Sequence, residues 1–410
     1  MKKIMLTVAS FAFLLNIAKA QTDSTGYRKL KVDEVNFVSS YYHQNGIHSA
    51  VTGGEGTEKL SDFGNTIDLQ LSRVDRKSNI HRYSIELGVD SYTSASSDNI
   101  DKVSTATQAS AATKGFTLSS ASRHDTRISP ALNYLFENAS KNYSLGGGLS
   151  FSKEFDYTSY GVNLLYAKTL NGGNTELSAK ASVFLDTWKI ILPAELRDAY
   201  NNGFKYKQLD HAPRNSYNLA LSWSQVVNKE LQMSLLADLG YQTGQLGTAY
   251  QRVYFTDLSL GAYSEKMPDK RFKLPIGVRA NWFATDRLIV RSFYRFYTDS
   301  WNLTAHTVEL ELPYKITPFM SLAPFYRFYS QNGTKYFKPY GEHSASEEYY
   351  TSDYDLSKFT SNMLGLNFRI VSGTGLLGIR PLNTAEFRYN FYKRNDGLHA
   401  QLITMTLKFK

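Results

Sequence analysis

The chain of 410 residues has no cysteine, few prolines, and no long apolar run beyond its first 20 residues. Without cysteine it forms no disulfides, which is compatible with an exported protein that folds without them. Without an apolar run of about 20 residues, the rest of the chain has no segment that could cross a membrane as a helix. The mature chain is therefore either soluble or crosses a membrane as strands.

The first 20 residues have the pattern of a secretory signal peptide. Two lysines precede a mostly apolar stretch, and residues 18–20, Ala-Lys-Ala, have the small-x-small form of a cleavage site. Gln21 follows rather than a cysteine, which disfavours a lipoprotein anchor; an uncleaved membrane anchor is the alternative. Because the segment carries three lysines and no acid, its removal lowers the net charge from +9 to +6. No basic arm is present, so we expect no nucleic-acid partner.

The last stretch of the chain, residues 397–410, alternates with a period of two. Ile403, Met405 and Leu407 fall on one face, and Thr404 and Thr406 fall on the other. An apolar strand at an open sheet edge promotes aggregation, whereas in a closed barrel the first strand pairs with it. A barrel is therefore the first interpretation, and an edge strand of a soluble sandwich is the alternative.

The same alternation recurs along the mature chain and predicts about sixteen strands in one domain. The predicted strands are Val35–His43, Thr66–Val74, Ile80–Tyr92, His124–Phe136, Asn142–Ser152, Tyr157–Thr169, Thr175–Asp186, Asn215–Val226, Leu231–Gln242, Phe272–Phe283, Leu288–Tyr297, Asn302–Tyr314, Phe319–Tyr329, Thr360–Val371, Leu382–Tyr392 and the closing strand. Short turns alternate with longer polar loops, and the even strand count places both termini on the side of the short turns, as in outer-membrane barrels.

Aromatic residues support a membrane barrel over a soluble sandwich. The chain has 29 tyrosines and 24 phenylalanines, spread along the alternating strands. The predicted outward positions place Phe136, Trp282, Tyr314 and Phe409 near the periplasmic ends, and Tyr241, Phe296, Phe328 and Phe391 near the outer ends. Two aromatic girdles are typical of membrane barrels. We predict an all-β transmembrane barrel over residues 35–410, preceded by a periplasmic segment at 21–34, in the outer membrane of a diderm (Gram-negative) bacterium.

Six stretches resemble an uncharacterised family of diderm-bacterial outer-membrane β-barrels, a domain of unknown function. They are VSSYYHQNGIHSAVTGGEGTEKLSD (38–62), DSYTSASSDNID (90–101), SASRHDTRISP (120–130), KEFDYTSYG (153–161), TAHTVELELP (304–313) and YGEHSASEEYYTSDYDLSKF (340–359). The resemblance covers nearly the whole mature chain and implies the barrel, but no substrate. One departure is Lys410 after the penultimate Phe409, because many such barrels end on an aromatic that the barrel-insertion machinery recognises.

The alternation also predicts a basic wall inside the barrel. Inward positions on neighbouring C-terminal strands are Arg279, Arg291, Arg295, Arg327, Arg369 and Arg388. Arginines that line a pore favour anions. The alternative is that these arginines pair with the inward Glu309, Glu311 and Glu386 in a structural network.

Two further sites are weaker candidates. Asp98 and Asp101 in one loop, and Asp353 and Asp355 in another, could supply oxygen ligands for Ca²⁺, although their spacing matches no EF-hand and acidic loops are often simply solvated. His306 and Thr304 share the outward face, but no orienting partner is evident, and neither GxSxG nor HExxH occurs. We therefore expect no enzyme and no cofactor.

These features leave two function classes open. The first is a channel for small polar solutes with a weak anion bias. The second is a non-enzymatic scaffold whose outer loops or periplasmic tail hold periplasmic or surface proteins. In either case the expected partners include outer-membrane lipids and the barrel-insertion machinery.

Overall fold

The computed structural model describes residues 30–94, 124–138, 140–192, 196 and 211–410. In these residues nearly all regular structure is antiparallel strand, because polar and apolar side chains alternate over long stretches. The 3-10 helices of the described residues are Ala50–Thr52, Asn171–Gly173, Leu258–Leu260 and Tyr354–Leu356. Within the same residues, no helix has the length and apolar composition that crossing a membrane requires.

The N-terminal half contributes nine long strands at the predicted places. They are β1 (Lys31–Asn45), β2 (Leu60–Val74), β3 (Ile80–Ser94), β4 (His124–Asn138), β5 (Tyr143–Lys153), β6 (Tyr157–Leu170), β7 (Thr175–Lys189), β8 (His211–Val226) and β9 (Leu231–Gly244). Several extend beyond the predicted bounds at their outer ends. For example, β2 begins at Leu60 rather than Thr66, because Leu60 pairs with Ser94 of β3.

The C-terminal half begins with a small hairpin in a loop and continues with long strands. The elements are β10 (Arg252–Tyr254), β11 (Ala262–Ser264), β12 (Lys270–Phe283), β13 (Ile289–Asp299), β14 (Thr304–Glu311), β15 (Tyr314–Thr317), β16 (Met320–Asn332), β17 (Lys358–Val371), β18 (Leu382–Arg394) and β19 (His399–Phe409). The predicted strand 302–314 is interrupted before β15, where Pro313 lacks the N–H that a continuous ladder needs. Since β14 and β15 both pair with β16, they form one spanning strand.

The sheet closes on itself into a barrel of sixteen spanning strands. The first strand, β1, pairs with β2 on one side and with β19 on the other, so that Val35 lies opposite Phe409 and Tyr41 lies opposite Ile403. Across the loop that carries β10 and β11, β9 pairs with β12. The prediction that the last strand is covered by the first is confirmed, and closure leaves neither strand with an open edge.

The outer surface of the barrel is apolar. Leu149, Leu164 and Leu364 keep 60%, 66% and 60% of their surface exposed, and they belong to a band of exposed aliphatic and aromatic residues around the barrel. Soluble proteins rarely expose so large an apolar surface, whereas a membrane barrel presents it to lipid. The predicted facing of the strands is therefore confirmed.

The periplasmic end differs from the prediction at Phe409. Trp282 and Tyr314 are exposed, as expected for a girdle, but Phe409 is buried. It packs with Val35 and Leu382, and Leu376 from the turn between β17 and β18 lies against this cluster. The sequence could not show that this ten-residue turn folds back over the final strand.

Candidate functional site: the lumen and its outer mouth

The inner wall of the C-terminal half carries the predicted arginines on five of its strands. Arg279 lies on β12, Arg291 and Arg295 on β13, Arg327 on β16, Arg369 on β17 and Arg388 on β18. Because neighbouring strands lie about 5 Å apart, these side chains share one wall, in which β14 between β13 and β16 contributes Glu309 and Glu311 instead of arginine. We call this surface the arginine wall.

Four members of the arginine wall are ion-paired. Arg291 Nη1 and Arg388 Nη2 lie 3.0 and 3.5 Å from the two carboxylate oxygens of Glu311. Arg327 Nη1 lies 3.7 Å from Glu309 Oε1, and Arg369 Nε lies 3.0 Å from Glu386 Oε1. The structural network considered from the sequence is therefore present, but three glutamates do not neutralise six arginines.

The remaining two arginines, Arg279 and Arg295, form no ion pair within 4 Å in the described part of the chain, although Glu309 and Asp238 act electrostatically on Arg295. The Arg279 guanidinium lies 5.4 Å from the centre of the Phe293 ring, which is within the range of a cation–π contact. Arg295 is only 7% exposed, and its Nη2 lies 3.5 Å from Thr307 Oγ1. Its Nε has no acceptor among the described residues.

A cavity of about 700 Å³ lies in the lumen against the arginine wall. Arg279, Arg295, Arg327, Arg388, Glu309 and Glu386 line it. Arg291, Arg369 and Glu311 face the same lumen but do not line this cavity. The nine predicted arginines and glutamates thus lie on one wall of the lumen, but only six of them line this cavity.

The wall formed by β5 to β9 has a different composition. Inward positions of β5 to β9 are rich in serine and glycine, and neighbouring serines bond across strands. Ser178 Oγ and Ser222 Oγ are 2.7 Å apart, and Ser224 Oγ and Ser234 Oγ are 2.9 Å apart. Small side chains leave space in front of this wall, so the lumen combines a basic side with a mostly uncharged hydroxyl side.

Three loop segments fold inward at the outer end of the barrel. These segments are 46–59, 245–269 and 333–357, and we call them the mouth loops. Leu246, Met267 and Leu356 pack against the inward faces of Tyr297 and Phe359. Across the barrel, a second apolar cluster joins Val51 and Tyr250 from the mouth loops to Tyr157 and Trp188 from the wall.

Polar contacts tie the mouth loops to one another. Arg252 Nη1 donates to the Val51 carbonyl at 2.6 Å, and the His48 ring stacks on Tyr354 with a centroid distance of 3.8 Å. Gly53 and Gly54 have φ angles of 85° and 93°, and a Cβ on them would lie 2.7 Å from Tyr254 and 2.9 Å from Tyr354. Only glycine tolerates both the backbone conformation and the close contact.

The mouth loops bury several carboxyl groups. Burial raises the pKa of Glu58 to about 8 and that of Glu265 to about 7. Burial also raises the pKa of Asp353 well above its ordinary value, and it raises the pKa of Asp355. The charged partner at this cluster is Arg394 of β18, which donates to Asp355 and Asp396. Burial thus favours the uncharged forms of Glu58, Glu265 and Asp353.

The structure does not assemble the predicted cation site from Asp353 and Asp355. Asp353 Oδ1 accepts the Asp355 backbone N–H at 2.9 Å, and Asp355 is engaged by Arg394. Asp98 and Asp101 lie outside the described residues. In the described part of the chain, no three His, Asp or Glu side chains are grouped closely enough to hold a metal ion. Calcium binding by the loops stays a prediction.

The structure also places the histidine considered for catalysis. His306 faces outward on β14, where its Nδ1 lies 2.9 Å from the Tyr294 hydroxyl and its ring lies 5.3 Å from that of Phe296. These contacts fit an outward aromatic cluster near the outer rim. Thr304 donates its backbone N–H to Asn332 Oδ1 at 2.7 Å.

Sequence reasoning missed the inward fold of the mouth loops. The one available signal was their aromatic content, which is high for solvated loops; members include Tyr250, Tyr254, Phe255, Tyr336, Phe337, Tyr340 and Tyr350. His343 of the same loops is fully buried, with Nδ1 2.7 Å from Glu347 Oε2 and Nε2 3.0 Å from the Thr351 carbonyl oxygen.

A closed barrel of sixteen spanning strands, apolar outside and polar inside, defines an integral β-barrel membrane protein of the outer-membrane type. A family profile described as "Protein of unknown function (DUF3570)" matches residues 4–403, and the chain belongs to this family. A search of curated proteins found no match.

Among solved structures, the chain is similar to OccK9 (OpdG) of Pseudomonas aeruginosa, with 9% identity, 92% of this chain and 98% of that chain covered, and a TM-score of 0.41. It is similar to a bacterial polysaccharide outer membrane secretin, with 10% identity, coverages of 92% and 98%, and a TM-score of 0.43. For OprB of Pseudomonas putida the identity is 8%, the coverages are 93% and 92%, and the TM-score is 0.41. The barrel assignment itself rests on the strand pairing described above.

Proposed function

We propose that the protein is a channel in the outer membrane of a Gram-negative bacterium, passing small polar solutes with a preference for anions. The observation that carries the proposal is the arginine wall beside a cavity of about 700 Å³. Six arginines share this wall with three glutamates, and two of the arginines are unpaired in the described residues. Export by the N-terminal signal, insertion by the barrel-insertion machinery and contact with outer-membrane lipids belong to the same proposal.

The anion preference follows from the position of the unpaired charge. An arginine keeps its charge at any physiological pH, so the excess positive charge is permanent. Apolar barrel walls confine its field to the lumen, where it favours anions over cations. The paired arginines contribute less, because each glutamate cancels part of the field. The expected selectivity is therefore weak rather than absolute, and the proposal includes no enzymatic activity.

In this proposal, the mouth loops control the access of solutes to the channel. They pack on inward residues at the outer end, so a solute entering from outside must pass beside them or displace them. Their contacts mix apolar clusters with buried carboxyl groups, which gives the packing a dependence on pH. The channel proposal therefore includes a gate at its outer entrance.

A non-enzymatic scaffold is the second candidate, and the interlocked mouth loops favour it. If they close the lumen, the barrel serves to present loops and a periplasmic tail to periplasmic or surface proteins. Current across a planar bilayer separates the two functions. The purified mature protein should conduct if it is a channel, and a protein without measurable conductance at any pH between 5 and 8 would establish the scaffold.

The anion preference has its own test. Replacing Arg291 and Arg295 with glutamine should shift the reversal potential in a salt gradient toward cations. The shift should be larger in dilute salt, because the screening length is about 30 Å at 0.01 M and about 10 Å at 0.1 M. A double Lys77→Gln, Lys229→Gln variant removes two charges from exposed periplasmic turns and serves as the control. Equal selectivity in the wild type and the arginine variant would exclude this wall from the pathway.

A further inference from the structure

Arg295 is the most buried charge of the arginine wall, and its Nε has no acceptor among the described residues. Its residue is 7% exposed, whereas the side chains of Arg291, Arg369 and Arg388 are nearly half exposed. Asp238 and Glu309 act on it electrostatically, but neither forms an ion pair with it within 4 Å. A buried guanidinium with an unused Nε is costly unless an anion comes to it.

The residue opposite Arg295 is a glycine that the Phe293 ring covers. Gly277 of β12 pairs with Arg295, and a Cβ at Gly277 would lie 2.9 Å from the Phe293 ring. Arg279 pairs with Phe293, which makes Arg279 and Arg295 diagonal neighbours on one face, about 7–8 Å apart at the backbone. Two guanidinium groups at this separation can donate to one carboxylate held between them.

The lining of the cavity includes an apolar patch beside its hydroxyl, amide and acidic side chains, among them Asp238. Leu236, Pro275, Phe293, Phe325, Met363 and Leu402 all line it. A fully hydrated inorganic anion would leave this surface without a partner. A ligand with an apolar body would cover it and gain from burial, with an aromatic ring able to stack against Phe293 or Phe325.

We propose that this cavity binds a small organic anion that has one carboxylate-like head and an apolar, flat body. The head accepts hydrogen bonds from Arg295 and Arg279, and the body lies against the apolar lining residues. This inference rests on the channel function and deepens it, because it names the class of solute that the channel selects.

The test measures binding rather than current, so that it is independent of conduction. Benzoate is titrated by calorimetry into the detergent-purified, full-length mature protein. We expect benzoate to bind, and benzyl alcohol, acetate and inorganic phosphate to bind at least about tenfold more weakly, because each lacks the charge or the apolar body. The proposal would be overturned if phosphate bound as tightly as benzoate, or if benzoate did not bind at millimolar concentrations.

Variants locate the site. Arg295→Gln should weaken benzoate binding by about tenfold or more, since it removes a charge-assisted hydrogen bond. Lys180→Gln removes an inward positive charge from the wall formed by β5 to β9 and should change the affinity less than twofold. If Arg295→Gln does not fold, Arg279→Gln is measured instead, because Arg279 is exposed to the lumen and its replacement should not disturb folding. If both arginine variants bind benzoate as tightly as the wild type, the proposed site is refuted. The channel function would still hold if the protein conducts in a separate measurement.

Discussion

The side chains of Arg271 and Asp299 are both fully buried and form an ion pair at the outer end of the barrel. Arg271 Nε donates to Asp299 Oδ2 at 2.9 Å, and Tyr297 donates its hydroxyl to the same oxygen at 2.9 Å. Asp299 Oδ1 accepts the backbone N–H groups of Trp301 and Leu303 at 2.8 and 3.1 Å. Asp299 therefore holds together the short connection from β13 to β14, on which the mouth loops pack.

Asp299→Ala should destabilise the barrel strongly. It removes the carboxylate that pairs with the buried Arg271 side chain and the acceptor of two backbone N–H groups. Breaking one side of a buried pair typically costs about 3–5 kcal/mol. The measurement is urea unfolding in lipid vesicles, followed by the shift in electrophoretic mobility between folded and unfolded barrel. Asp286→Ala, in an exposed periplasmic turn, should behave as the wild type; equal loss in both variants would contradict the role of the pair.

The orientation in the membrane is tested by cysteine labelling, which the absence of native cysteine makes clean. Ser346 is exposed in a mouth loop, and Asn174 is exposed in a turn at the other end of the barrel. A cysteine at Ser346 should react with an impermeant thiol reagent on intact cells, whereas one at Asn174 should react only after the outer membrane is permeabilised. Labelling in the reverse pattern would mean that the barrel is inverted.

The lipid face is tested by two neighbouring substitutions on β3. Leu87 is 45% exposed on the outer surface, and Glu86 points inward opposite Asp68. Leu87→Arg should lower the free energy of unfolding by about 2–4 kcal/mol, because it places a charge against hydrocarbon. Glu86→Gln should insert normally. The yield of heat-modifiable barrel in membranes measures both, and a greater loss for Glu86→Gln would show that the strand faces are reversed.

The packing of the mouth loops should weaken as the pH rises. The pKa of Glu58 is about 8 in the packed loops, above its ordinary value of 4.5. Between these values the packed state binds more protons than the unpacked state, so its stability falls with increasing pH, by up to about 1.4 kcal/mol per unit for each such group. Asp355, Asp396 and Arg394 act electrostatically on Glu58 and modulate this effect.

Hydrogen exchange of the mouth loops at pH 5 and pH 8, corrected for the intrinsic rate, measures this dependence. We expect less protection at pH 8, and higher conductance if the loops gate the channel. Glu58→Gln has a neutral side chain at both pH values and should reduce the difference in protection between them. Glu55→Gln changes an exposed acid of the same loop and should preserve it. A full pH difference in Glu58→Gln would refute the contribution of Glu58.

The sequence was sufficient for the barrel because the signal is local and repeated. In β19, Ile403, Met405 and Leu407 alternate with polar residues, and the same period recurs in each spanning strand. A period of two fixes which side chains face lipid, and an even number of such strands places both chain ends on one side. The positions of the lumen arginines followed from that alternation alone, before any contact was known.

Only the tertiary structure decided how those arginines are paired and what fills the outer mouth. Arg295 and Arg291 occupy equivalent inward positions on one strand, yet of these two arginines Arg291 pairs with Glu311 and Arg295 does not. Arg252 binds the carbonyl of Val51 across 201 residues of sequence, and no periodic pattern marks either partner. Loop packing depends on such contacts between side chains that are distant in sequence. The face that each side chain takes on a strand depends on the backbone of that strand, and it can therefore be predicted from the local sequence.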